Sequence, residues 1–443
     1  MKFLKKHYKI IIFFFSIFLV TVSYTFWHQI RPAVDALDYD QIANNLITGR
    51  GFRISSNTTI HLDEAITFHT PLYEYFLAGL YFLFGARNYP AVWLTQAILH
   101  TLSAFFIYLT CRKISLDGRK GIVAGVVAAG LFGFYPDLIE MTGILMTETL
   151  SIFFLTLFIC LFASFYKKIN YKNSLALGIS FGLGVLVRST MTLFLPFLAW
   201  YFLKEKKYAH FAVFLFLTVT VLTPWTVRNY ITYHRFIPTS ANGGYNLWVG
   251  NHNGGTGEGG NMPELLQAQQ RLGYIQANDY GKEQFKKFVY EHPIKYIGLT
   301  FTRLVKYFSF ARPLGFWPYQ HGWSQVIFLF FSCLFSVAIF SLGWAKIISI
   351  FHSKKFEGPL IHLVIFAGLT VCSIIPIIIE TRYRLPIYAF MAIFSGLYVA
   401  DRLVEKTSLK YFYYSFGFLG LMSLVGLGFE WQKLIEKLGI IFN

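Results

Sequence analysis

Thr142–Tyr166 reads TGILMTETLSIFFLTLFICLFASFY, a run of 25 residues whose sole charge is Glu148, near its start. At 1.5 Å of rise per residue, a helix of that length crosses the ~30 Å hydrocarbon layer of a bilayer. It is apolar on every side, so no aqueous face is available to it. Reading outward, ten further apolar runs flank it: Ile10–Trp27, Ala91–Thr110, Gly121–Tyr135, Ser174–Val187, Met191–Leu203, Ala209–Val227, Ser324–Ile350, Pro359–Ile379, Arg384–Ala400 and Tyr411–Phe429. The first is too long for a signal peptide and lacks its small-residue exit, so we read it as an anchor. The composition agrees. Of 443 residues 55% are hydrophobic and only 14% charged, against about 25% charged in soluble domains. The fold class is therefore an all-α polytopic membrane protein, a bundle of about 11 transmembrane helices.

Thirty-nine Lys and Arg against 22 Asp and Glu leave a net charge of +17, which by itself resembles a nucleic-acid signature. Placing the charges removes it. If Lys2–Lys9 and the Arg112–Lys120, Lys167–Lys172, Lys204–Lys207, Lys346–Lys355 and Arg402–Lys410 loops are cytoplasmic, with the adjoining Glu357 and Asp401, that side holds 20 bases and 5 acids, and the rest of the chain 19 bases and 17 acids. Most of the excess is then the positive-inside bias of a membrane protein, and no nucleic acid is needed as a partner. Seventeen of the 20 inner bases are Lys, whereas 12 of the other 19 are Arg. Arginine's planar fork suits phosphate and carboxylate, so the outer face is expected to handle an anion. The four cysteines, Cys111, Cys160, Cys333 and Cys372, lie in or beside apolar runs, and neither a disulfide framework nor a cysteine-based metal site is expected.

This topology gives a multi-pass inner- or plasma-membrane protein with a cytoplasmic N-terminus and three parts. Residues 1–227 form an N-terminal membrane module with a first outer loop at 28–89. Residues 228–323 form an extracytoplasmic loop and helical region, and 324–443 the C-terminal transmembrane helices. Pro71–Gly85 is apolar but too short to span, and reads as an outer interfacial helix. In the second region Asn251–Asn261 is Gly-rich loop. Helices are expected near Pro263–Arg271 and Asp279–Glu291, and an amphipathic one at Ile294–Phe310. No internal repeat is evident.

Ionisable residues concentrate at the outer ends of the spans. Asp35-Ala-Leu-Asp38-Tyr39-Asp40 is the densest acidic cluster. On a helix Asp35 and Asp38 share a face, and one of them could act as a general base; acids in a solvated first turn are the plainer account. His69 stands before Pro71 and could donate to an anion, bind a metal, or simply be an interfacial polar side chain. Glu148 and Arg188 lie at membrane depth, where charge is costly and often functional, unless snorkelling explains it. Arg228 follows Thr223-Pro-Trp-Thr-Val, and Glu380-Thr-Arg382-Tyr-Arg384 turns between two spans. Arginines there need compensation, by carboxylates such as Glu380 or Glu148 or by an anionic ligand. An acid and several cations at one membrane face can hold a lipid-linked phosphate and deprotonate a hydroxyl that attacks the sugar it carries.

Taken in order, DALDYDQIANNLITGRGF (35–52), HTPLYEYFLAGLYFLFG (69–85), LMTETLSIFFL (145–155), GLGVLVRSTMTLFLP (182–196), TPWTVRNYITYHRFIPTSANGGYNLWVGN (223–251) and ETRYRLPIYAF (380–390) resemble the GT-C glycosyltransferases of the protein-mannosyltransferase and aminoarabinose-transferase type. The likeness runs over roughly residues 1–400. It implies a GT-C-like bundle, a polyprenyl-phosphate-linked sugar donor, a glycan or glycolipid acceptor, and Asp35 as catalytic base in the D-x-x-x-Y spacing to Tyr39. His69 holds the place of the family's basic residue before Pro-Leu; in the mechanism we expect, fixed cations meet the growing charge of the phosphate, with His69, Arg188, Arg228, Arg382 and Arg384 as the candidates, and Asp38 and Glu148 as supporting acids orient those cations or the acceptor. A divalent metal is possible, with no cofactor certain. Asp35-Ala36 departs from the Asp-Glu pair of protein mannosyltransferases, which speaks against a protein acceptor. Phe68-His69-Thr70-Pro71-Leu72 departs from the Glu-Lys-Pro-Pro-Leu run of aminoarabinose transferases. The expected activity is inverting sugar transfer at the outer face; a lipid-linked saccharide flippase is the alternative.

Overall fold

The structure, a computed structural model, describes residues 2–54, 68–115, 118–260, 262–310, 322–354 and 358–442. Parts of the two long loops (55–67, 261 and 311–321) thus lie outside the described residues. Among the described residues the chain is helical, with no strand and one isolated bridge between Glu258 and Ile379.

The first half comprises α1 (Lys2–His28), α2 (Asp35–Ile47), α3 (Leu72–Phe84), α4 (Tyr89–Ile114), α5 (Gly118–Gly133), α6 (Pro136–Gly143), α7 (Thr147–Lys167), α8 (Tyr171–Val187), α9 (Phe194–Lys204) and α10 (Tyr208–Tyr233). Then come α11 (Gly243–Gly250), α12 (Pro263–Glu291), α13 (Pro293–Phe308), α14 (Trp323–His352), α15 (Pro359–Cys372), α16 (Ile387–Glu405) and α17 (Lys410–Phe442).

All eleven apolar runs form helices. Seven (in α1, α4, α7, α10, α14, α16 and α17) are long and apolar enough to span singly, and α5 with α6 makes an eighth, bent by 54°. The bend is local chemistry: Pro136 opens α6, and a proline removes one helical hydrogen bond and crowds the preceding turn. The sequence reading left α6 out and began the next run inside it. α8, α9 and α15 are shorter, at 17, 11 and 14 residues.

The most enclosed span is α16, flanked by α5 and α14. Small residues let α5 and α16 touch backbone to backbone, since a Cβ added at Gly396 would stand 2.2 Å from the Ala124 carbonyl. Close approach through small side chains is how helices associate where lipid supplies no hydrophobic drive.

Four local features of the helices matter for the site. α11 was not foreseen. α12 is two helical segments that break at Gly273, where φ is 76° and ψ 167°, in keeping with the two helices expected near Pro263–Arg271 and Asp279–Glu291. α8 ends at Val187, Arg188 is extended, and Ser189–Leu193 follows as a 3₁₀ turn. α3 is a separate 13-residue helix, too short to span.

Candidate active site

Five breaks in regular structure meet at one end of the bundle: the turn before α2, the residues before α3, the start of α7, the end of α8 and the α15–α16 connection. They surround a cavity of about 720 Å³ whose charged lining is Asp35, His69, Glu148, Arg188, Glu380 and Arg382.

Arg382 is the hub. It sits on a 3₁₀ turn, Thr381–Arg384, and its Nη2 donates to Asp35 Oδ2 at 2.8 Å. Its Nε lies 3.8 Å from Glu148 Oε1, to which Arg188 Nη1 donates at 3.0 Å. Tyr383 stands between the two guanidiniums, its ring 5.1 Å from Arg188 and 5.3 Å from Arg382, within cation–π range. Burial works against the charge on Arg382, but Glu148 first, then Tyr383 and Asp35, reverse that effect and push its pKa up. Two guanidiniums are thereby neutralised by two carboxylates of different access: the Glu148 side chain is 0% exposed, that of Asp35 34%. Glu148 is structural charge, whereas Asp35 is open to what enters the cavity.

Asp35 opens α2, and Val34 before it is held at φ 51° and ψ −125°, a costly backbone for a β-branched residue. Strain of this kind aims the carboxylate. Opposite, His69 Nε2 lies 3.9 Å from Asp38 Oδ2, and the Tyr39 ring packs on the imidazole at 4.8 Å. Burial lowers the His69 pKa, but the Asp38 contact and the charges of Glu74 and Asp35 outweigh it, so the net shift is upward. Tyr39 is driven up by burial and by Asp35, which keeps its phenol protonated as a donor. Glu380 is raised too, by burial, against the pull of Arg382. Thr70 Oγ1 donates to the Val187 carbonyl at 2.6 Å, pinning the His69 segment to the end of α8.

The structure therefore brings Asp35, His69, Glu148, Arg188 and Arg382 to one cavity and sets Asp38 behind His69. It does not bring Arg228 and Arg384 there. Arg228 lies over the Trp225 ring at 4.7 Å and donates to Asn229 and the Phe52 carbonyl. Arg384, 2% exposed, donates to Tyr388 Oη at 2.7 Å and the Ser309 carbonyl at 3.0 Å. The reason for the split between Arg382 and Arg384 is geometric: on a 3₁₀ turn only positions three apart share a side. Sequence reasoning missed Tyr39, Tyr245 and Tyr383 as walls of the cavity, as well as the amides of Asn242 and Asn246. Tyr383, between Arg382 and Arg384 in the chain, was the one available signal. Among the described residues no three His, Cys, Asp or Glu side chains group as a metal site.

Residues 68–226, which hold His69, Glu148 and Arg188, match the family described as dolichyl-phosphate-mannose-protein mannosyltransferase. The archaeal oligosaccharyltransferase AglB from Archaeoglobus fulgidus, solved with an inhibitory peptide and a dolichol-phosphate, aligns at a TM-score of 0.52 and 14% identity, over 98% of this chain and 56% of that one. The chain shares its fold with that protein. The oligosaccharyltransferase from Archaeoglobus fulgidus in its apo form gives a TM-score of 0.51 at 14% identity, over 94% of this chain and 54% of that one. ArnT from Cupriavidus metallidurans bound to undecaprenyl phosphate gives 0.46 at 13% identity, over 89% and 78%. The chain spans about half the length of the oligosaccharyltransferase it matches. No curated protein matches it.

Beside the cavity lies a narrow slot of about 20 Å³, lined by Leu155, Met191, Phe194, Ile374 and Pro386 and by Ser151, Thr190, Thr370 and Ser373. Arg188 and Tyr383 belong to both linings. A guanidinium thus stands where the cavity meets the slot.

Proposed function

We propose that the protein is an inverting glycosyltransferase that moves a sugar from a polyprenyl-phosphate donor to a hydroxyl of a glycan or glycolipid, on the extracytoplasmic side of the membrane. The observation that carries this is Arg188 at the junction of cavity and slot, with Asp35 across the cavity beside Arg382. A lipid-linked phosphate held at Arg188 would set its sugar toward Asp35, with Leu155 and Phe194 marking the side on which its tail leaves the cavity. The Lys-rich ends of the spans favour the side assignment.

In the reaction Asp35 removes the proton of the acceptor hydroxyl. The freed oxygen forms a bond to the anomeric carbon as the carbon–oxygen bond to phosphate breaks, and the electron pair leaves on the lipid phosphate. Phosphate leaves readily, so a protonating acid of the kind used by glycosidases is less needed. What the site must supply is fixed positive charge where negative charge grows. Arg188 and Arg382 provide it, preset by Glu148, and His69 adds a third donor. Tyr245, Asn242 and Asn246, from α11 and the turn before it, close the cavity on the acceptor side, and aromatic faces with amides suit a sugar better than a charged peptide.

The test is transfer by the purified, reconstituted protein. A radiolabelled undecaprenyl-phosphate sugar is offered with a glycolipid acceptor, and the anomeric configuration of the product is read by NMR. Turnover with inversion supports the assignment; release of intact donor on the far side of sealed vesicles, without bond cleavage, defeats it.

A further inference from the structure

Arg384 ends the Thr381–Arg384 turn and lies outside the cavity lining. It is 2% exposed, and among the described residues it forms no ion pair with a carboxylate. A buried charge without a counter-charge is expensive, and an apolar side chain would fill the same space at less cost. What the guanidinium gains is contacts. All three of its nitrogens donate: Nε to Tyr388 Oη at 2.7 Å, Nη1 to the Ser309 carbonyl at 3.0 Å and Nη2 to Ser336 Oγ at 3.4 Å. The rings of Phe340 and Tyr388 lie 5.2 and 5.6 Å from its central carbon. The acceptors are themselves held. Tyr135, at the start of α6, has its Oη 2.6 Å from Ser336 Oγ and donates to Tyr388 Oη at 2.9 Å. Phe310, just past α13, donates its backbone N–H to Ser423 Oγ of α17 at 2.7 Å. The end of α13, the middle of α14 and the first turn of α16 thus meet on one side chain.

The turn that Arg384 closes has four residues. So short a 3₁₀ piece has few backbone hydrogen bonds, and those of poor geometry, so side chains must fix its place. On the cavity side Arg382 reaches Asp35 at 2.8 Å, and Glu148 and Met146 Sδ at 3.8 Å each. On the far side the tie is Arg384. We propose that Arg384 is a positioning residue: by fastening the back of the turn to Ser309, Ser336 and Tyr388, it sets Arg382 where its guanidinium holds Asp35 and faces the phosphate of the donor. The donor is that of the sugar-transfer reading, on which this inference rests; the hold of Arg382 on Asp35 is measurable without it. Arg384 acts through Arg382 alone, since its own nitrogens are spent on the buried side.

Asp35 is 34% exposed at its side chain, so a water-soluble carbodiimide with glycinamide can reach it. The full chain in detergent is treated with this pair, and the rate of amide formation at Asp35 is read by mass spectrometry against that at exposed Glu264 on α12. Arg382→Gln is expected to speed labelling of Asp35 about tenfold, as loss of a hydrogen bond between charged groups does. Arg384→Met is expected to reproduce most of that rise, and to add nothing in the Arg382→Gln background, because residues acting as one unit are not additive. An Arg384→Met rate equal to wild type, with the fold intact by thermal unfolding, overturns the proposal. So does a double variant in which the two effects multiply. If Arg384→Met gives no folded protein, Tyr388→Phe decides, since it takes away the hydroxyl to which Nε donates: faster labelling of Asp35 is expected, and a wild-type rate overturns the proposal equally. Absence of sugar transfer would leave these rates untouched and would count against the transferase reading alone.

Discussion

Arg382 Nη2 donates to Asp35 Oδ2 at 2.8 Å, joining two residues 347 positions apart in the chain. The carboxylate proposed as base is thus held by the guanidinium proposed to receive the leaving phosphate. Deprotonation of the acceptor and departure of the phosphate share one cation, so the two events are electrostatically linked.

Asp35→Asn keeps an acceptor for Arg382 and removes the base. Transfer is expected to fall by about 10²–10⁴-fold with donor binding and thermal unfolding little changed. Near-normal turnover in a single-turnover assay would take the role from Asp35.

Glu148 compensates two guanidiniums from a fully buried position. Removing one partner of a buried ion pair costs about 3–5 kcal/mol, so Glu148→Gln should lower the unfolding midpoint measured by scanning fluorimetry. Added undecaprenyl phosphate should recover more stability in this variant than in wild type, because its phosphate can replace the lost carboxylate. Equal stabilisation of both proteins argues that no phosphate binds there.

Arg188→Lys keeps the charge and loses the planar fork. Loss of one hydrogen bond between charged groups, about 1.5–3 kcal/mol, predicts donor affinity weaker by about tenfold or more. Binding of undecaprenyl phosphate followed by tryptophan fluorescence measures it, and an unchanged dissociation constant removes the bidentate contact.

Arg303 on α13 is 0% exposed and donates to the Gly250 carbonyl at 2.9 Å, Asn251 Oδ1 at 2.8 Å and the Ile377 carbonyl at 3.1 Å. It fastens the end of α11 to the segment leading into Glu380 and Arg382, where Ile379 N also donates to the Gly257 carbonyl. Arg303→Met leaves buried acceptors unsatisfied. The expected result is rapid cleavage within residues 250–260 under limited proteolysis, with the spans intact. A wild-type digestion pattern would show that the segment is held by other means.

The pH dependence follows from His69. Its folded pKa is raised, so the stability from its contact with Asp38 is fully present below the ordinary 6.5 and is lost as pH rises through the folded value. Transfer should lose its imidazolium over the same interval. A rate that stays flat across the alkaline side of that interval excludes a charged His69 from the mechanism.

The spans were legible because an apolar run of sufficient length has one physical reading. Asp35, His69, Glu148, Arg188 and Arg382 were legible because charge at a membrane face is conspicuous. Direction was not. Arg382 and Arg384 look equivalent in ETRYRLP, yet one faces the cavity and the other Tyr388, since the intervening turn is 3₁₀ and not extended. Arg228 is drawn to Trp225 and Phe52, a choice made by tertiary packing. α6 was lost in an apolar context in which Pro136 was the one available cue.

The shared wall between cavity and slot at Arg188 has a kinetic corollary. A molecule that keeps its hydrocarbon in the bilayer while its head enters the cavity is delivered by lateral diffusion within one leaflet, and its abundance is counted per lipid molecule, not per litre. Saturation should therefore follow the mole fraction of donor in the bilayer, and diluting a vesicle suspension with buffer should leave the rate per enzyme unchanged with respect to that substrate.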